Sequence, residues 1–122
     1  MIVVVVEAHL AAQGWKVADV HLDGLGYDLR AVRGREQRIV EVKGVWGLAS
    51  STGIRMTGNE VLMATQHRQD FWLYVVHQCA DGGVLYGAYS DPITTFRSDI
   101  KGEAVFTVPG SALAAARQEG HA

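Results

Sequence analysis

Between Trp15 and Lys43 three β-type segments follow one another with only short, glycine-containing turns between them. These are WKVADVHL (15–22), YDLRAVR (27–33) and QRIVEVK (37–43). Strands joined this tightly must lie antiparallel, because a parallel pair needs a crossover of a dozen or more residues. Helical patterns stand on both sides. Over 3–13, Val3, Glu7, Leu10 and Gly14 form one stripe with Val4, Ala8, Ala11 and Ala12 beside it, and Gly14 ends the run. Downstream, Thr57-Gly58-Asn59-Glu60 is a capping box and predicts a helix over 58–69. The strand-like run FWLYVVHQC (71–79) comes next, and an ADGG turn leads into VLYGAYS (84–90). A looser tail holds a strand at 104–108 and an Ala-rich helix at 111–118. The order predicts an αβββαβ core with a C-terminal β/α extension: a mixed sheet with flanking helices, of α/β (α+β) class, and not a parallel βαβ array. At 122 residues the chain is expected to form one domain, 1–122.

The single cysteine, Cys79, has no disulfide partner within the chain, and the apolar opening from Met1 to Val6 is far short of a membrane span. That opening also lacks the basic start and small-residue cleavage site of a signal peptide. A cytoplasmic protein without a membrane segment is expected. The net charge of −2 offers no global attraction to nucleic acid, but its distribution is uneven. From Arg30 to Arg68 lie seven of the eleven Lys and Arg residues against three acids, Glu36, Glu41 and Glu60. A local basic surface of this kind can grip phosphates, since the attraction is short-ranged at physiological salt.

In RIVEVKG (38–44), Ile39, Val40 and Val42 are β-branched, yet Glu41 and Lys43 stand two apart and project from one face. With a turn over Gly34–Gln37, Arg33 pairs with Arg38 and Asp28 falls opposite Lys43, on the same face as Glu41. Two carboxylates and an ammonium within roughly 5–8 Å suit a magnesium or manganese site. Magnesium takes one or two protein carboxylates and leaves its other positions to water and phosphate. A solvated ion pair is the plainer reading of Glu-x-Lys alone.

The segments GYDLRAVRG and IVEVKG resemble the PD-(D/E)XK nuclease signature, in the form where an isolated Asp replaces Pro-Asp. Together with GWKVADV, MTGNEVLMA, DFWLYVV and SDP, they resemble the C-terminal domain of the plant protein NO VEIN, over roughly 5 to 110. The resemblance implies a restriction-endonuclease-like fold, met in bacterial defence loci and attached to helicase-like or other large proteins. It implies a Mg2+- or Mn2+-dependent nuclease acting on nucleic acid, most simply DNA, and leaving a 5′-phosphate. Asp28 and Glu41 would be metal ligands and Lys43 the catalytic lysine. Glu7 matches the first-helix acid of Mrr-like nucleases, which also serves the metal, so the site is expected beneath the first helix.

Arg30, Arg55 and Arg68 from the basic stretch are candidate substrate contacts, together with Trp46. That indole could stack on a base or cover the edge of the core. Thr57 and Glu60 are explained by capping, and Gln66, His67 and Arg68 by a solvated helix face. His9, His21 and His77 have no ligand spacing for zinc. Two rival expectations stand beside the nuclease: an inactive module of the same fold that binds DNA or a partner protein, and a homodimer formed through the edge of 84–90 or the tail.

Overall fold

The side chains of the central hairpin alternate as the sequence predicts, and their two faces go into two different cores. In the computed structural model, which describes residues 2–102 and 105–120, the chain opens with α1 (Ile2–Ala12) and β1 (Lys16–Asp19). The hairpin β2 (Leu29–Arg33) and β3 (Glu36–Gly44) follows, then α2 (Ala49–Thr52), β4 (Ile54–Thr57) and α3 (Gly58–His67). Next come β5 (Phe71–His77), β6 (Val84–Ser90) and α4 (Pro92–Thr95). The chain ends with β7 (Lys101–Gly102), β8 (Val105–Val108) and α5 (Gly110–Ala115). The main sheet has the order β1-β2-β3-β5-β6, antiparallel except for the parallel pair β3/β5 that α3 bridges. It is the expected mixed sheet with flanking helices.

On one face α1 lays Val3, Val6 and Leu10 over Leu29, Ala31, Val40, Val42 and Tyr74. On the other, Ile39, Leu73 and Val75 pack with Ala49, Met56, Ala64 and Leu113 from the later elements. Each Val, Leu, Ile or Met side chain among them taken fully out of water stabilises the fold by roughly 1.5–3 kcal/mol. The α1 stripe therefore works as expected, but it covers the Val40/Val42 face. Glu41 and Lys43 alternate with those residues and point to the opposite side, towards α3. The expectation of a site beneath the first helix is thereby overturned.

The hairpin register differs from the expected one by two residues. Arg33 pairs with Glu36, not Arg38, so the turn shrinks to Gly34-Arg35, and the ladder ends at Leu29↔Val40. Past that pair the ladder is irregular: the Asp28 amide donates to Val40 O at 2.8 Å, so Asp28 lies beside Val40 and not opposite Lys43. The Asp28 side chain nevertheless reaches β3, where its Oδ2 accepts the Val42 amide at 2.8 Å.

Beyond the hairpin the boundaries shift. The first strand stops at Asp19, whose side chain accepts the His21 amide at 3.1 Å, and a short 3-10 turn replaces 21–23. After β3, residues 49–52 form α2. Residues 54–57 form β4, paired with β8 in a second sheet of order β4-β8-β7. The strand expected at 104–108 begins on Ala104, which lies outside the described residues. The last helix ends at Ala115 and not at 118, because residues beyond it serve the sheet. Gln118 O accepts the Ala88 amide at 2.6 Å and Arg117 Nε donates to Tyr86 O at 2.6 Å. The tail thus lies along part of the β6 edge, at Tyr86 and Ala88. No described helix is long and apolar enough to cross a membrane.

Candidate active site

Glu41 and Lys43 lie on β3, beside Leu73 and Val75 of the parallel neighbour. Glu41 is 5% exposed, a carboxyl group set into the lid of the core. Lys43 Nζ stands 3.4 Å from Glu41 Oε2 and 2.6 Å from Glu60 Oε1. Glu60 reaches it from the first turn of α3, where the expected capping box is fully formed: the Thr57 hydroxyl accepts the Glu60 amide, and Glu60 Oε1 accepts the Thr57 amide at 2.8 Å. One carboxylate oxygen therefore closes a helix end and holds the lysine.

Asp28 approaches from the end of the β2 ladder. Its Oδ2 accepts the Val42 amide at 2.8 Å, which ties the carboxylate to β3 between Glu41 and Lys43. The turn before it is packed against α3. Gly26 has φ +83, and a Cβ there would lie 2.7 Å from Met63 Cγ and 2.8 Å from Asn59 Nδ2. Gly26→Ala is expected to cost at least roughly 1–2 kcal/mol in chemical denaturation from the left-handed backbone alone, more if Met63 and Asn59 cannot move aside.

Three carboxylates face one ammonium here, and the charges are unequal. Burial pushes the Glu41 carboxyl up to about 9; the charges of Glu60 and Asp28 add to this, Lys43 opposes it, and a hydrogen bond with Glu60 adds further. For Glu60, burial also acts upward, but the hydrogen bonds from Lys43 and from the Thr57 amide outweigh it and hold the group below its usual range. At neutral pH the cluster thus keeps Glu41 protonated beside an ionised Glu60. A divalent cation would relieve this crowding. Among the described residues no group of three or more His, Cys, Asp or Glu side chains stands in metal-binding array. The donors that remain, Asp28 and Glu41, are the one or two carboxylates that suffice for magnesium with water in its other positions. The residues present fit such an ion.

Residues 1–87 match the family described as "Protein NO VEIN, C-terminal". The chain belongs to the NO VEIN C-terminal family. Its fold is similar to that of Hjc, a Holliday junction resolvase from Archaeoglobus fulgidus, with a TM-score of 0.63 and 15% identity over 92% of this chain and 84% of that one. This family member is accordingly restriction-endonuclease-like in fold. No curated protein matches the sequence.

The fold distributes the other expected site residues unevenly around the NO VEIN-type core. Glu7 lines a surface depression with Val4, Ala8, Ala11 and Val17, on the flank of α1 and on the far side of the sheet from Glu41. The structure does not bring it into the cluster. Arg30 is opposite Ile39, which sets it on the Glu41 face, and it donates to Tyr27 Oη at 2.7 Å. Arg68 stands at the far end of α3 from Glu60 and lines a small cavity with Thr65, Asp91, Ile93 and Thr94. Trp46 and Arg55 do meet Lys43: all three line a groove of about 580 Å³ with Thr52, Gly53, Ile54 and Thr107. Trp46 is 76% exposed, so it does not cover the core. Glu60 is the residue whose second role the capping motif concealed; its place in MTGNEVLMA was the available signal.

Proposed function

We propose that residues 1–122 form one nuclease-like domain that hydrolyses phosphodiester bonds in DNA with the help of Mg2+ or Mn2+. The observation that supports this reading is that Glu41 and Lys43 share one face of β3, that the Asp28 carboxylate is tied to the Val42 amide between them, and that Lys43 lines a groove. Asp28 and Glu41 would hold the ion, which when bound supplies Lewis-acid charge at the phosphoryl oxygens and a more acidic water. Lys43 donates its ammonium hydrogens at the groove wall, where they orient an attacking water or neutralise charge developing on the phosphate. Glu60 positions that ammonium. Arg55 and Arg30 add positive charge on the approaches. Delivery of the DNA by a larger helicase-like protein, or pairing of two copies of this chain to cut both strands, fits the same reading.

A second reading has its own observation. Lys43 is already bound by Glu60 at 2.6 Å, which is how a structural ion pair in an inactive DNA- or protein-binding module would look. Incubation of the protein with labelled single-stranded, duplex and four-way-junction DNA plus Mn2+ separates the two. The nuclease cuts at least one of them, and Asp28→Asn, which keeps an acceptor for the Val42 amide, abolishes cutting without unfolding. Uncut DNA in every lane, or equal cutting by Asp28→Asn, would leave the binding module.

A further inference from the structure

Trp46 is the one aromatic side chain among the described residues that stands exposed, and its backbone is fixed. Val45 N donates to Val76 O at 2.8 Å, Ala80 N to Trp46 O at 3.3 Å, and Gln78 N to Gly47 O at 2.7 Å. Val45 and Ala49 on either side are buried. The loop is therefore pinned to the end of β5 while its indole is held in water, where it contributes little to folding. It flanks the 580 Å³ groove whose other wall carries Arg55 and the Thr52 and Thr107 residues, and which begins at Lys43. That volume is in the range of sites that enclose a small organic ligand.

We infer that this groove holds an unpaired nucleotide next to the scissile phosphate, its base stacked on Trp46 and its phosphate between Arg55 and Lys43, so that the substrate is DNA with a single-stranded segment at the site. The inference rests on the nuclease reading for its ligand class and adds what that reading leaves open. In a duplex both faces of each base are covered by neighbours, and only edges show in the grooves. A fixed indole beside cationic side chains matches instead the platform on which unstacked bases sit, where one aromatic is worth roughly 5- to 150-fold in affinity.

The test is binding, measured in chelator so that no cutting occurs. Fluorescence anisotropy compares a labelled single strand, a blunt duplex of the same sequence and a splayed fork. Trp46→Ala is expected to weaken the single strand and the fork by at least about 5-fold, and to leave the blunt duplex within about 2-fold. Trp46→Phe should recover part of the loss. Melting curves of both variants should overlay wild type, as the indole is exposed. Undetectable wild-type binding, unchanged single-strand affinity in Trp46→Ala, or an equal loss on all three DNAs would overturn the inference. A clear Trp46 preference in a protein that cuts nothing with Mn2+ would sink the nuclease reading alone; cutting that ignores Trp46 would sink this one alone.

Discussion

Replacing Glu41 with glutamine is expected to raise the stability of the metal-free protein at alkaline pH. Burial in the folded state pushes this carboxyl from 4.5 up to about 9. A group raised in this way binds its proton more tightly in the folded chain than in the unfolded one. The associated stability is fully present below about 4.5 and is lost as the pH climbs towards about 9. Each pH unit climbed between those two values costs about 1.4 kcal/mol, so the loss near pH 8 is on the order of a few kcal/mol. Glu41→Gln removes that loss and keeps a donor towards Glu60. Urea denaturation in chelator across pH 5–9 checks it: the wild type should weaken steadily relative to the variant. Glu60 is held below its usual range and is therefore already ionised across this window. Saturating Mn2+ should stabilise the wild type and flatten its pH dependence, and should do neither for Glu41→Gln. Parallel curves for the two proteins in chelator would mean that Glu41 is ionised at neutral pH, and the crowded-carboxylate picture would be wrong.

Lys43→Ala carries the second large effect, and its components differ in sign. Cutting should fall by about 100-fold or more, the cost of losing one donor at a developing oxyanion. Stability should drop by roughly 2–3 kcal/mol, below the range for a fully buried pair, because Glu60 loses its partner while both side chains keep some contact with water. Affinity for Mn2+ should hold or rise, since a positive charge next to the cation has been removed. This combination distinguishes a lysine that acts on substrate from one that shapes the metal site. If the variant lost Mn2+ binding together with cleavage, Lys43 would be a structural support for the carboxylates. Kinetics and metal titration on the same preparation give both readouts.

How far the fold was legible follows from which interactions are local. The period-two alternation in RIVEVKG settles which residues share a face. The expected register was two residues out, yet the Asp28 carboxylate still reached β3, where it accepts the Val42 amide. Which face α1 would cover was not legible. Val40 and Val42 on one side and Ile39 on the other are equally apolar, so β3 reads as buried on both. The resemblance put Glu7 in the site by expectation, and the structure sets it on the flank of α1, away from Glu41. Glu60 was read correctly as a cap from its spacing to Thr57, but its contact with Lys43 spans 17 residues of sequence and leaves no periodic trace. The pairing of β4 with β8 crosses half the chain, and local pattern is blind to such partners. Trp46 lay open between stacking and packing until its exposure was known, since an indole serves either purpose.

Isothermal titration of Mn2+ into the metal-free protein, repeated in buffers of different ionisation enthalpy, addresses the cluster most directly. If Asp28 and Glu41 share a divalent ion, one Mn2+ binds per chain, protons are released as Glu41 ionises, and both Asp28→Asn and Glu41→Gln lose the signal while remaining folded. Absence of binding, or binding that survives either substitution with no proton release, would show that these carboxylates hold no metal and that the face around Lys43 is not an active site.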